Sequence, residues 1–425
     1  MAFALVERII KTLPLGALTT ITLVGLLSFT ISNNISTSTS ASEIFGKIGA
    51  ETRIFPNSAI HLGQNSHTTS FFVNPTIYSE NSNGHSIVVS PFFRYDSVDP
   101  RRTHWDIREA YGLFFGELDN VAWEFRIGLD RVFWGVAESF HLIDIINQTD
   151  LVEDPGLKEK LGQPMIHGTL STSMGNIETF FMPYFRNRTF HGQGSRLRNS
   201  LIVDQNQTNY ESSSGRHHLD IALRHSHTIG VFDTGLSFFH GTNRSPTLEL
   251  ALDRYGSIVL VPTYEQISQY SLDLQATLES WLLKFEGYWR DGEKDRALTE
   301  QDYGAFIAGF EYTFYGIFNS ETELSLLTEL LFDGRDNRSL TAYENDIFFA
   351  LRLGLNDAKS TEFFIGVMHD LDESAHSVSL EAERRIDNNW SLSLNGTAFR
   401  SINSQDIQFS VRKDTFLEFE INYNF

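Results

Sequence analysis

The sequence has no cysteine. Disulfides, thiolate catalysis, cysteine-based zinc sites and a lipid-modified N-terminal cysteine are thereby excluded. Positive charge is scarce: 33 Lys and Arg stand against 54 Asp and Glu, a formal net charge of -21. That balance excludes nucleic acid as a partner, because phosphate binding needs a basic surface. Apolar surplus is missing too, since hydrophobic residues make up 41% of the chain and mean hydropathy is -0.20. A polytopic helical membrane protein is excluded on that ground, whereas a barrel hides its apolarity in alternation. No nucleotide-binding glycine loop is present, so any transport is expected to be passive and without a cofactor. What the chain does have is aromatic residues, 35 Phe, 14 Tyr and 6 Trp, the supply that lipid-facing strands and interfacial girdles use.

The clearest pattern is the last stretch, Thr415 to Phe425. Leu417, Phe419, Ile421, Tyr423 and Phe425 alternate with Glu418, Glu420, Asn422 and Asn424. As a strand this segment has one apolar and one polar face. In a transmembrane barrel the first meets lipid and the second lines the lumen. The stretch resembles the last strand of bacterial outer-membrane β-barrels. That resemblance implies the outer membrane as location, with its lipid and lipopolysaccharide and the barrel-assembly machinery as partners.

At the other end, Arg8 and Lys11 precede an uncharged run over 13–31 and a Ser/Thr/Ala-rich patch over 36–42. These are the parts of a secretory signal peptide, expected to occupy 1–42 and leave a barrel of 43–425. Period-two segments then recur at 46–55, 69–79, 86–96, 105–116, 121–131, 164–173, 176–186, 216–228, 231–241, 271–279, 281–290, 302–314, 321–332, 344–355, 360–370, 376–386, 389–399 and 415–425. The reading is all-β: a transmembrane antiparallel barrel of about 18 strands, with 16 as the alternative, each near the length a tilted spanning strand needs. The weak point is Glu279-Ser280, a poor turn between two of them. Connections alternate between tight turns (174–175, 229–230, 356–359, 387–388) and long loops (132–163, 187–215, 242–270, 400–414). Short periplasmic turns and long extracellular loops alternate in this way in outer-membrane barrels.

Parity sorts the lumen side. Val121, Trp123, Phe125, Ile127 and Leu129 point out, leaving Glu124, Arg126 and Asp130 inside. Trp281, Leu283 and Phe285 leave Lys284, Glu286 and Arg290 inside. Two readings of these mixed charges stand open: cross-strand ion pairs that hold the wall, or a transverse field that orients a passing solute.

Segment 132–163 is too long and too apolar (Phe140, Leu142, Ile143, Ile145, Ile146, Leu151) for an idle loop. Asp144, Asn147, Gln148 and Asp150 are expected on its other side, and the segment is expected to fold into the barrel mouth as a constriction. Its residues Arg131, Trp134-Gly135 and Glu138, then Ile145 to Asp150, then Lys158, Lys160 and Gly162 to Pro164, resemble a porin-like family of Gram-negative outer-membrane barrels without an established function. The resemblance is clearest over 105–190. It implies a barrel and a porin-like role, and no binding residue. The next loop carries Arg186, Arg188, Arg196 and Arg198. As a cluster these would draw carboxylates or phosphates by bidentate pairing, or else bind lipopolysaccharide phosphates or the acidic loop.

The candidate constriction residues are therefore Glu124, Arg126, Asp130, Arg131, Asp144, Asp150, Arg186, Arg188, Lys284 and Glu286. No catalytic set and no metal site is expected. His225 and His227 share the lipid parity, adjacent His217 and His218 make poor joint ligands, and Asp370 and Asp372 lack a second Asp/His pair. The expectation is a passive channel for small solutes, anionic or amphipathic, against a closed structural or interaction barrel and, more remotely, a surface hydrolase.

Overall fold

The computed structural model describes residues 41–425 apart from 120, 373, 374 and 405. The expected leader therefore lies, up to position 40, outside the described residues.

Strands are numbered along the chain. β1 (Ala41–Ile54), β2 (His67–Glu80), β3 (Ser86–Asp96), β4 (His104–Leu118), β5 (Val121–Asp130), β6 (Gln163–Thr172) and β7 (Gly175–Met182) follow one another round a wall. β8 (Asn209–Tyr210) lies outside it. β9 (Asp220–Ile229) and β10 (Phe232–Thr242) rejoin it, while β11 (Thr247–Leu252) and β12 (Ile258–Tyr264) leave again. The wall continues through β13 (Gln266–Leu278), β14 (Trp281–Asp291), β15 (Tyr303–Phe314), β16 (Glu323–Asp333), β17 (Asn345–Gly354), β18 (Glu362–Asp370), β19 (His376–Arg385), β20 (Trp390–Arg400) and β21 (Phe416–Asn424). Its 18 strands form one antiparallel sheet, and β21 pairs back onto β1, with Ile54 opposite Leu417 and Lys47 opposite Asn424. The result is a closed barrel without a free edge.

Every expected strand is present, and the count is 18, not 16. The doubtful pair separates where the sequence looked weakest. Glu279 takes a φ of 55°, the left-handed conformation a two-residue hairpin asks of its first central residue, and Leu278 pairs with Trp281. Two boundaries differ for physical reasons. The strand expected over 176–186 stops at Met182 because Pro183 has no N–H to give the ladder. The loop expected over 242–270 contains the hairpin β11–β12, which joins β8 in a small sheet outside the wall.

Connections segregate by end. The turns 173–174, 230–231, 279–280 and 386–389 lie at one end, and 131–162, 183–219, 243–265 and 401–415 at the other. Outward positions are exposed and apolar around the whole ring, including Phe71, Ile127, Phe181, Leu236, Leu283, Phe349, Ile365 and Phe419, with Trp105, Trp281, Trp289, Trp390 and Tyr423 among them. A belt of that extent is what lipid covers.

Candidate functional site

The lumen is organised by segment 131–162, which leaves β5 and crosses to β14 and β16. Seven strands separate β5 from β16 on one side of the ring and nine on the other, so the crossing is nearly diametric. At the far wall, loop backbone takes the place of a strand partner. Val136 and Ala137 N–H donate to Glu286 Oε1 at 2.5 and 2.7 Å, and Ile143 N–H reaches Oε2 at 3.3 Å. Glu138 and Ser139 N–H donate to Glu329, both at 2.8 Å. A non-regular backbone inside a barrel has no ladder to satisfy its N–H groups, and two wall carboxylates do so here. Gly135 permits the approach: its φ is +149°, and a Cβ there would sit 2.9 Å from Glu286 Oε1.

Along β6–β18 the crossing is packed by two apolar clusters. Trp134, Ile143, Ile145 and Ile146 bury against Met165, Phe180, Met182, Ala222, Phe239 and Ile267, all inward residues of β6, β7, β9, β10 and β13. Ala137, Phe140 and Leu142 lie against Ile307, Leu327, Leu331, Phe348 and Met368 of β15–β18. Inward wall positions are thus apolar wherever the segment lies on them. The expectation that Asp144, Asn147, Gln148 and Asp150 form an open polar side does not hold, for all four are buried. They serve as internal fasteners. Asn147 Nδ2 donates to the carbonyls of Asp130 (2.8 Å) and Leu161 (2.9 Å), and Asp144 pairs with Lys160 at 3.1 Å. Asp150 accepts from Arg108 at 2.6 Å and from Thr189 Oγ1 at 2.7 Å.

Arg108 belongs to a buried ion network that the candidate residues omitted. Arg94 and Arg102 hold Glu51 at 2.8 and 2.7 Å, Arg53 holds Glu418 at 2.5 Å, and Arg94 also reaches Glu153 of the crossing segment at 2.9 Å. The inward parity of Glu51, Arg53, Arg94, Arg108 and Glu418 was readable from alternation. Which of them meet depends on the stagger of β1, β3, β4 and β21. Carboxylates of Glu51, Glu418 and Glu420 approach closely enough to hold an ion. Guanidinium groups already neutralise Glu51 and Glu418, so no metal is inferred there.

The side of the segment facing β19–β21 is different. Gly156, Lys158 and Glu159 are exposed. Lys158 Nζ lies 2.7 Å from Glu381 on β19, with side chains 52% and 45% exposed. Around that pair the wall presents half-buried Ser377 and Ser379 of β19 and Ser393, Asn395 and Thr397 of β20. Polar, solvated surface therefore continues along this flank between segment and wall.

The remaining candidates do not converge on one place. Arg126 bonds Glu124 at 2.9 Å and lies 3.6 Å from Asp130, a group of three on β5. Arg131 lies 3.4 Å from Glu159 and 3.6 Å from Glu109, and Lys284 lies 3.9 Å from Glu138 and 3.7 Å from Glu311. The arginine cluster disperses. Arg186 pairs with Asp106 at 2.7 Å, Arg188 bonds Gln148 and Ser245, Arg196 pairs with Asp414 at 2.7 Å, and Arg198 bonds the carbonyls of Asn199 and Ser200. Each buried guanidinium needs its own acceptors, and the loop passes four separate sets of them. Asp370 and Asp372 sit together at the rim, the Asp372 N–H donating to Asp370 Oδ1 at 2.8 Å and Asn345 donating to Asp372 at 2.8 Å.

No family model matches the chain, and no curated relative matches it. Among solved structures it is similar to mutant forms of a porin from Rh. blastica, at TM-score 0.42 and 9% identity over 91% of this chain and 100% of that one. It is also similar to OmpT lacking loop L8, an outer membrane protein of Vibrio cholerae, at TM-score 0.47 and 8% identity over 91% and 99% of the two chains. Likenesses at this level carry no argument about function, and the barrel stands on its own strand pairing.

Proposed function

We propose that the chain is a porin-like channel of the bacterial outer membrane, passing small polar solutes passively between segment 131–162 and the β19–β21 wall. The observation that carries this reading is the asymmetry of the crossing. One flank is buried in apolar packing and ion pairs, while the other meets its wall through the solvated Lys158–Glu381 pair and half-buried serines. An inward segment that leaves a polar passage on one side is a constriction. Lys158, Glu159, Arg131, Glu138, Arg352 and Glu381 would set its ion preference, with both signs present. No enzymatic role is proposed. Lipid would cover the outer belt, lipopolysaccharide would meet the long-loop end, and the barrel-assembly machinery would receive β21.

A second reading has its own support: the two apolar cores and the buried arginine network fill much of the lumen, as they would in a closed structural barrel. Single-channel conductance in a planar bilayer separates the two. The native chain is expected to give small, steady currents, and a version with 154–159 replaced by a short Gly-Ser link larger ones. No current from either would overturn the channel reading and leave the closed barrel.

A further inference from the structure

On the outer face of the wall, the register sets the side chains of successive strands into rows. Directly opposed residues Phe238, Tyr270, Trp289 and Gly304 run across β10, β13, β14 and β15, and Gly334 continues the row, its N–H donating to the Gly304 carbonyl at 2.9 Å. The row two residues nearer the short-turn end reads Leu236, Leu272, Gly287, Phe306 and Phe332. All these positions have the outward parity. Glycine therefore stands three times where the rest of the belt carries a large apolar side chain. Aromatic rings lean over two of the gaps, as they do over glycines in other sheets: a Cβ on Gly287 would come 3.0 Å from Phe285 Cζ, and one on Gly304 3.4 Å from Trp289 Cε3.

The three gaps are neighbours on the grid, so they join into an oblique slot. Its lower edge is a run of stacked rings, Phe332 on Phe306 at 5.3 Å and Phe306 on Phe285 at 6.4 Å. Its upper edge is Trp289 beside Tyr270. The groove has a volume of about 1130 Å³ and descends from Gly334 and Gly304 to Leu236 and Leu223 in the middle of the wall. It is cut into the belt that lipid covers, so hydrocarbon is what reaches it. Shape narrows the choice further. A second barrel presents a convex wall, which would bridge a slot without entering it, whereas a single extended chain can follow its course. The upper end opens beneath loops 292–302 and 335–344 of the long-loop end, where lipopolysaccharide would stand.

We propose that this slot holds one acyl chain of a lipopolysaccharide molecule, laid along the rings of Phe306 and Trp289 with its headgroup at the long-loop end. Apolar surface buried on both rings and chain supplies the affinity. The side chains missing at Gly287, Gly304 and Gly334 supply the room. The choice of leaflet rests on the outer-membrane reading, but the slot is the same whether the lumen is open or closed.

The refolded full chain in detergent is incubated with purified lipid A, with dipalmitoyl phosphatidylethanolamine or with palmitate, exchanged into fresh detergent and weighed by native mass spectrometry. One lipid A retained per chain is expected, and excess palmitate should displace it, since the slot holds a chain and not a headgroup. Gly304→Leu sets a side chain in the slot and should abolish retention, with Tm at or above native because glycine weakens a strand interior. Should that variant not refold, Phe306→Ala removes an edge ring and should lower retention severalfold. No lipid retained by the native chain, or equal retention by Gly304→Leu, would overturn the proposal. Preferred retention of the phosphatidylethanolamine would overturn the assignment to lipopolysaccharide, and a native oligomer that Gly304→Leu splits into monomers would give the slot to a second copy. None of these outcomes bears on single-channel conductance, so failure here and failure of the channel reading are told apart.

Discussion

The two flanks of segment 131–162 are held by different physics. Against β6–β18 the contact is dry: aliphatic and aromatic side chains interdigitate, and five loop N–H groups end on Glu286 and Glu329. Against β19–β21 the contact is wet, resting on an ion pair whose two side chains are about half exposed. Buried polar contacts are strong because their loss leaves groups that water cannot reach, whereas a solvated pair exchanges readily with water. The difference assigns roles. The dry flank fixes where the segment lies, and on the proposed channel reading the wet flank is where passage would be tuned without unfolding anything.

The comparison breaks most decisively at the dry flank. Glu286→Ala with Glu329→Ala orphans five backbone N–H groups, each worth about 1–3 kcal/mol when buried unpaired. The segment should detach while the outer wall persists. Conductance should rise severalfold with added noise, and limited proteolysis should cut within 136–143, where the native chain resists. A quiet, native-sized channel from the double variant would mean that the apolar cores alone hold the crossing.

Asp150→Ala comes next. It leaves Arg108 buried without its 2.6 Å partner and removes the acceptor of Thr189. Breaking one partner of a buried pair typically destabilises by about 3–5 kcal/mol. Glu153, 4.0 Å from Arg108, offsets part of that loss. A fall in Tm with little change in ion selectivity is expected, since the Asp150 side chain is buried against Arg108 and Thr189 and not on the wet flank. A large selectivity change would return it to the passage.

These two variants also mark what the sequence could and could not reveal. The 18 strands and their facing were legible because lipid enforces strict alternation outside, as in Leu417 to Phe425. The crossing was legible in outline, since Phe140, Ile143 and Ile146 could not stay in water. Its landing point was not. Glu329 is one inward carboxylate among many, and only the stagger of the closed sheet brings it to Glu138 and Ser139. The inward face was legible only as a rule. Met165, Phe180 and Phe239 depart from a polar lumen because a loop distant in sequence covers them. Arg186, Arg188, Arg196 and Arg198 part company for the converse reason: an extended loop carries neighbours in sequence to different neighbours in space, and only Arg186 and Arg188 reach the acidic segment, at Gly162 and Gln148.

A smaller effect distinguishes the mouth from both flanks. Glu344 has a folded-state pKa of about 7, raised from 4.5 by burial and by Asp346, Asp370 and Asp406. The folded state then binds a proton that the unfolded state has released, so stability falls as pH rises from 4.5 through 7. Arg296 beside Asp406 moderates this without removing it. Tm should be a few degrees higher at pH 5.5 than at pH 8, and Glu344→Gln should flatten that difference. A slope of opposite sign would indicate that groups elsewhere dominate the titration.

The smallest change in stability, and the sharpest test of the wet flank, is Lys158→Ala. Exposed ion pairs contribute about 0–1 kcal/mol, so Tm should hardly move. Yet the substitution removes the side chain that reaches from segment to wall, and it leaves the Glu381 charge unneutralised. Conductance should increase, and reversal potential under a salt gradient should shift toward cations. Lys158→Glu should carry that shift further. Both shifts should shrink in 1 M salt, where the screening length falls to about 3 Å. Glu381→Gln should move selectivity the opposite way, with conductance again increased because the pair is lost. If instead Lys158→Ala lowers Tm as much as Asp150→Ala, the two flanks are not different in kind. If Tm holds while neither conductance nor selectivity moves, ions do not pass between Lys158 and β19.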